Sequence, residues 1–301
     1  MQHIRQCLES LNERLVEVSH PDRVDGVMSD LFGNAQFMQE VEAARSNSIL
    51  RKELKCVVDE SCIDIFNASG LLKHSRAKPF GYPGDFIALE HIYNQKAFSS
   101  STSAGKAIDE WALSTSLPTA VRQRKNALCY LLDDAIISGK RKFLSIGAGT
   151  AREIRDLNNI HDEILFDLLD HDAGASHAFR TLTSLSANFH VLDVLTAPLE
   201  QFDGYDLIYS FGLIDYLPDK IADKLLRRFT PLLGDNGLFV FSLKDTRFYN
   251  AWFYDVFCEW RFVDRVADDG PKMAERAGLS VVKTLLTENK AVKIFICRKI
   301  D

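Results

Sequence analysis

The chain lacks any run approaching the roughly 18 to 20 apolar residues that a membrane-spanning helix needs. Its opening residues, Met1-Gln2-His3-Ile4-Arg5-Gln6, carry no apolar core of the kind a secretory signal requires. The expectation is a cytoplasmic protein without a membrane span. Cysteine pairing is missing too. The six cysteines (Cys7, Cys56, Cys62, Cys129, Cys258, Cys297) are scattered, without a C-x-x-C spacing, and most lie among apolar neighbours. They read as small buried hydrophobes, so neither a disulfide framework nor a metal site is expected. An excess of positive charge is absent: 36 Lys and Arg face 42 Asp and Glu, for a net charge of −6. A nucleic-acid backbone favours a basic footprint, so the expected partner is a small molecule. A homodimer is compatible with the sequence.

Convincing strands are missing from residues 1–140, where apolar residues recur at helical spacing, as in Ile4, Leu8, Leu11 and Leu15, then Leu128, Leu131, Leu132, Ala135 and Ile136. Two stretches interrupt the pattern. Lys78–Phe86 has two prolines and two glycines in nine residues, which forbid a regular helix and set a turn-rich loop bearing aromatics and one acid. Ser99–Gly105 is polar and reads as a loop, a hinge or a disordered segment. The expected organisation is a helical N-terminal domain over residues 1–118 followed by a sheet domain over residues 119–301.

In the second part, Lys142-Phe-Leu-Ser-Ile-Gly-Ala-Gly149 runs from an apolar strand straight into a glycine turn, with a helix-like pattern after it. Such a turn brings bare backbone at Gly147 and Gly149 against a ligand and aims unpaired N–H groups at it. Ile164–Asp170 is a strand-like run closed by a carboxylate, and an acid about 20 residues after the glycines is placed to hold a ribose hydroxyl pair. Arg152 occupies the position where a dinucleotide fingerprint carries a third small residue, so a pyrophosphate pocket, and with it a Rossmann oxidoreductase, is disfavoured. Further strand-like runs are Phe189–Val194 and Gly237–Ser242, with Tyr205–Leu217 between them as a strand and the loop after it, and an amphipathic helix around Ile221–Leu233. The last two, Leu279–Leu286 and Ala291–Arg298, are split by a turn-like Thr287-Glu-Asn-Lys290 and form a hairpin.

The loose G-x-G turn and the alternating βα units ending in a hairpin resemble class I S-adenosylmethionine-dependent methyltransferases. That resemblance implies an α/β fold, a seven-stranded Rossmann-like sheet with its last strand antiparallel. It also implies S-adenosylmethionine as cofactor, with Asp193 and Val194 at the adenine and Ser210 and Phe211 along the methionine arm. Ser145 departs from the pattern, since many such enzymes carry an acid just before the glycine turn. The loop of Lys78, Pro79, Gly81, Tyr82, Gly84 and Asp85, together with Ala120–Arg124 and Trp260–Arg265, further resembles the bacterial proteins for biosynthesis of the extracellular factor 3-hydroxypalmitic acid methyl ester. This second resemblance covers most of the chain from about residue 70 and implies methylation of a hydroxy fatty acid carboxyl group. In that frame Tyr82 and Arg124 would close over the cofactor, with Arg124 near its carboxylate.

A carboxylate acceptor is ionised near neutral pH and needs no general base. It needs a cation instead, and Lys244, Arg261 and Arg265 are the candidates. A hydroxyl, phenol or amine acceptor would need a proton acceptor, with Asp215 and Tyr216 foremost and Asp85, His171 and Asp172 behind them. The leading expectation is O-methylation of a small acidic molecule to a methyl ester. An N- or phenol-directed methyltransferase of secondary metabolism stays open, as does a non-catalytic protein that only binds the cofactor. The aromatic run Phe248–Trp260 reads as core packing or as the wall of an apolar substrate pocket.

Overall fold

A computed structural model describes residues 1–300. It divides into two compact units, one formed by Met1–Thr119 with Asn250–Arg261 and the other by Ala120–Tyr249 with Phe262 onward. The first unit is therefore discontinuous in sequence. Among the described residues no helix is long and apolar enough to cross a membrane.

The first unit is helical: α1 (Gln2–Val16), α2 (Pro21–Gly33), α3 (Ala35–Ser46), α4 (Ser48–Ser61), α5 (Ile63–Ala68), α6 (Gly70–Ala77), α7 (Phe86–Asn94) and α8 (Ser103–Ser114). Asn34 and Asn47 cap α3 and α4, accepting from Phe37 N at 3.0 Å and from Ile49 N at 2.9 Å, which satisfies amide groups that a helix start leaves unpaired. The aromatic run resolves from Trp252 onward as core of this unit, whereas Phe248, exposed, and Tyr249 belong to the other. The Trp252 ring lies edge-on to Phe32 and Phe37 at 5.3 and 5.6 Å, and Phe253 lies edge-on to Trp111 at 5.2 Å. Trp252, Phe253, Tyr254 and Phe257 are all buried.

The serine-rich stretch is ordered by a buried acid. Asp109 accepts from Ser69 Oγ at 2.5 Å, Ser101 Oγ at 2.7 Å, Phe98 N at 3.0 Å and Leu71 N at 3.3 Å. Thr102 then caps α8 by accepting from Gly105 N at 3.1 Å. The close approach of α8 to the end of α5 depends on Gly105, because a Cβ there would lie 1.8 Å from the Ala68 carbonyl oxygen.

The second unit opens within the first turn of α9 (Ser116–Ile137). It contains a seven-stranded sheet, β1 (Lys142–Ile146), β2 (Leu165–Asp170), β3 (Asn188–Val191), β4 (Tyr205–Ser210), β5 (Leu233–Lys244), β6 (Leu279–Leu286) and β7 (Val292–Lys299). The order is β3-β2-β1-β4-β5-β7-β6, with β7 antiparallel to both neighbours and the rest parallel. The expected seven-stranded α/β architecture with a terminal hairpin is found. The remaining helices are α10 (Arg152–Arg155), α11 (Ala173–Leu182), α12 (Asp219–Phe229), α13 (Ala251–Val256, in the first unit) and α14 (Gly270–Arg276). On one face Leu144, Ile146, Ile208, Phe239 and Phe241 pack with Ala222, Leu225, Leu226 and Phe229 of α12 and Met273 and Ala274 of α14 in one apolar core. β1 pairs with β2 on one side and β4 on the other. The chain thus reverses its direction of winding beside β1, and the carboxyl ends of strands at such a switch point form the natural ligand crevice.

Gly105→Ala places a methyl group against backbone that cannot step aside. It is expected to destabilise the helical unit by about 1–3 kcal/mol. A urea titration followed by tryptophan fluorescence reads this directly, because Trp111, Trp252 and Trp260 all lie in that unit; an unchanged midpoint would refute the packing argument.

Candidate functional site

The turn after β1 is held by β2. Gly147 N and Ala148 N both donate to Leu169 O, at 2.9 and 3.0 Å. Gly147, Gly149 and Ala151 all have left-handed backbone, with φ of 74°, 54° and 46°. A Cβ on Gly149 would meet nothing within 4 Å, so the turn exposes backbone to open space as a ligand-binding turn requires. A Cβ on Gly147 would come within 3.1 Å of Leu213 Cβ; here glycine admits the loop after β4.

Asp170 closes β2 and is buried. One carboxylate oxygen accepts from Gly149 N at 2.8 Å and the other from Asp172 N at 3.0 Å. A carboxylate has about four acceptor positions, so these two bonds fix its orientation and leave capacity for hydroxyl donors. Its neighbours are committed differently: Asp172 caps α11 through Gly174 N at 2.7 Å, and His171 is largely exposed with Nδ1 3.3 Å from Asp170.

Asp193 is not at the end of a strand, because β3 stops at Val191. Its exposed carboxylate folds back on its own turn, accepting from Leu195 N at 2.8 Å and Thr196 Oγ1 at 2.9 Å. Those bonds hold its carboxyl below the usual aspartate range. Val194 turns into the core packed on α12. Ser210 is fully buried and donates from Oγ to Ile146 O at 3.2 Å, tying the ends of β4 and β1 together. Phe211 follows it, with the Arg124 guanidinium 5.9 Å from its ring centre.

The densest chemistry lies around Asp215. Arg124, Asp215 and Lys244 are each at most 6% exposed. Lys244 Nζ is 3.0 Å and Arg124 Nη1 3.6 Å from the same Asp215 oxygen, Oδ2. The other oxygen accepts from Lys244 N at 3.0 Å, and the Asp215 carbonyl accepts from Val263 N at 2.9 Å. Two buried cations thus share one carboxylate, and Arg124 Nη1, buried, has no hydrogen-bond partner among the described residues. Lys244 Nζ also sits 3.6 Å from the Phe262 ring centre and 5.5 Å from that of Tyr216. Burial pushes its ammonium pKa down to about 8, against the upward pull of Asp215 and with a further push from Arg124. Gly212, unremarked in the sequence, makes the cluster possible. Its φ is 103°, and a Cβ there would come within 3.2 Å of the Arg124 guanidinium.

Arg265 has its donors engaged by the chain itself. Its Nε donates to Asp219 at 2.8 Å, Nη1 to Ile214 O at 2.7 Å, and Nη2 to Leu217 O. The side chain pins the short turn that carries Asp215 and Tyr216. Arg261 and Tyr82 belong to the helical unit. Tyr82 is half-buried in the proline–glycine loop, whose acid, Asp85, caps α7 and binds His74 Nε2 at 2.8 Å. A buried carboxylate, Glu153, lies after the glycine turn. It accepts from Tyr209 Oη at 2.8 Å, and burial raises its pKa.

No family model and no curated protein matches the chain. Solved structures do. A possible exported protein from Bordetella parapertussis matches with a TM-score of 0.62 at 18% identity, over 77% of this chain and 86% of that one. Mitomycin 7-O-methyltransferase matches with a TM-score of 0.50 at 16% identity, over 93% of this chain and 71% of that one. At such identities the likeness is one of fold: the chain has the seven-stranded Rossmann-like fold of class I methyltransferases, preceded by a helical region.

Proposed function

We propose that the sheet unit binds S-adenosylmethionine at the carboxyl ends of β1, β2 and β4 and transfers its methyl group to the carboxylate of a small acidic molecule, giving a methyl ester. The observation that carries this reading is the Arg124–Asp215–Lys244 cluster, two buried cations on one carboxylate. Buried charge in excess is costly unless paired, and an anionic ligand completes the set.

The residues present fit the cofactor. Gly149 offers open backbone, Asp170 offers oriented acceptors for a ribose, and Arg124 holds a buried unpaired N–H for the methionine carboxylate. When bound, the cofactor supplies an electrophilic methyl group on a sulfonium. Ser210 fixes the end of β4 through Ile146 O, Phe211 after it would flank the methionine arm, and Lys244, the cation beside Tyr216 and Phe262, neutralises and orients the acceptor carboxylate. The apolar rings keep water from that ion pair, which strengthens it. Asp215 holds both cations in place. The O-methylation in the name of mitomycin 7-O-methyltransferase agrees with an oxygen acceptor.

A second reading draws on the same Lys244. With a pKa of about 8, its neutral form would serve as a general base for a hydroxyl, phenol or amine acceptor. The two readings have opposite pH signs. An anion anchor must be protonated, so kcat/KM falls as pH rises through about 8; a base must be neutral, so kcat/KM rises through the same range.

Incubation of the protein with labelled cofactor and acidic small molecules is expected to yield a base-labile labelled ester, with an alkaline loss of kcat/KM near pH 8. The permanently charged Lys244→Arg variant should move that loss upward. A base-stable product with a rising limb would replace the ester reading by the second one. Calorimetric titration should show binding of S-adenosylmethionine and a marked loss of affinity in Asp170→Ala, which leaves ribose hydroxyls without their charged acceptor. Unchanged affinity in the folded variant, or tighter binding of a nicotinamide dinucleotide, would refute the cofactor assignment.

A further inference from the structure

The helical unit contains a second concentration of positive charge, apart from anything methyl transfer requires. A cavity of about 230 Å³ is lined by Arg45, Arg51, Lys52, Lys55 and Lys78 against only two acids, Asp255 and Glu259, over an apolar floor of Leu54 and Val256. Glu42 and Asp59 beside the cavity also pair with Arg45, Lys55 and the neighbouring Arg76, so six cations face four carboxylates and an excess of two positive charges remains, in a chain whose net charge is −6.

Both lining acids are already shared. Asp255 pairs with Arg45 Nε at 2.9 Å and with Arg51 Nη2. Glu259 pairs with Lys78 Nζ at 2.8 Å, with Lys55, and with Arg76 at 3.1 Å. Burial works against ionisation of Glu259, yet the hydrogen bonds from Lys55, Lys78 and Arg76 draw its carboxyl down to about 2. Among the described residues Lys52 pairs with neither acid. Glu259 itself is held at a φ of 48°, a left-handed conformation uncommon for glutamate. The cations thus come from α3, α4 and the end of α6, and converge on one cavity with two acids from a segment far along the chain. A fold gathers like charges this way at a cost in mutual repulsion, which an anion of more than one charge relieves.

We propose that this cleft binds a small soluble ligand through a multiply charged phosphoryl group. Arg45 is taken up by Asp255 and Glu42, whereas the Arg51 guanidinium, bound to Asp255 through Nη2, matches phosphate oxygens as a fork, and the lysines supply point charges around it. The volume, roughly eight times the ~30 Å³ share of one water, takes one or two phosphoryl groups. The floor of Leu54 and Val256 accepts the apolar start of whatever carries them. The site is independent of the methyl-transfer reading and survives its failure.

Inorganic pyrophosphate is the probe, titrated calorimetrically into the full-length protein with citrate as a carboxylate control. Saturable binding with one site per chain is expected, stronger than that of citrate and weakening as salt rises. Lys52→Glu, a surface change that disturbs no internal pair, should weaken it at least tenfold, and Arg51→Gln should do the same in protein whose circular dichroism is unchanged. Absence of saturable binding, or affinity unaltered in Lys52→Glu, would overturn the site. Citrate binding as tightly as pyrophosphate would overturn the phosphoryl assignment.

Discussion

A single carboxylate placed between two buried cations governs how the carboxyl edge of the sheet is built. Asp215 accepts from the Lys244 amide, gives its carbonyl to Val263, and faces both the Lys244 ammonium and the Arg124 guanidinium. It thereby joins α9, the loop after β4, the end of β5 and the segment that re-enters the sheet unit. Each charge in such a set is tolerable only because the others are present, since removing one partner leaves an uncompensated buried ion. The same coupling leaves the set with one positive charge in excess, two cations on one carboxylate.

Glycine makes the coupling sterically feasible. The β1 turn and the β4 loop approach each other so closely that Gly147 abuts Leu213, and Gly212 abuts Arg124. Both glycines also occupy left-handed backbone that a side chain would strain. The two loops therefore fit together at the point where the sheet changes its winding direction. Asp170 then locks the first of them through the Gly149 amide. What is left uncovered is the backbone at Gly149, which faces open space rather than protein.

The sequence exposes the interior of the sheet far better than its margins. β1, β2, β4 and most of β7 are apolar runs buried on both faces, so their strands could be read from composition, although β7 runs on into the exposed Arg298 and Lys299. β3 lies at an edge, is half-exposed along its length and ends early. No buried face specifies its last residue, which is why Asp193 lies in a turn beyond the strand. The run from Phe248 to Trp260 announces burial through its aromatics, but composition cannot say against what. The chain leaves the sheet unit after Tyr249 to complete the helical core and returns at Phe262. Ser99–Gly105 looked mobile because its organiser, Asp109, lies further along the chain inside α8. Arg124, Asp215 and Lys244 were each recognisable as candidates, whereas their sharing of one buried cluster depends on topology, which no local pattern encodes.

The two cation-rich places in this acidic chain use positive charge in different physical regimes. Around Asp215 the charges are buried and walled by Phe262 and Tyr216, so solvent and salt screen them little and small displacements change their energies strongly. Around Asp255 and Glu259 the groups are partly exposed, with Lys55 about half accessible and Arg51 a quarter, so water and counterions moderate them. The first arrangement suits fixed alignment of one anion for chemistry, where position decides the rate. The second suits reversible capture of an anion of higher charge, where attraction from a distance matters more than alignment. Since the rest of the chain is net acidic and repels anions, each site must outweigh that field locally, and clustering of cations is the means both use.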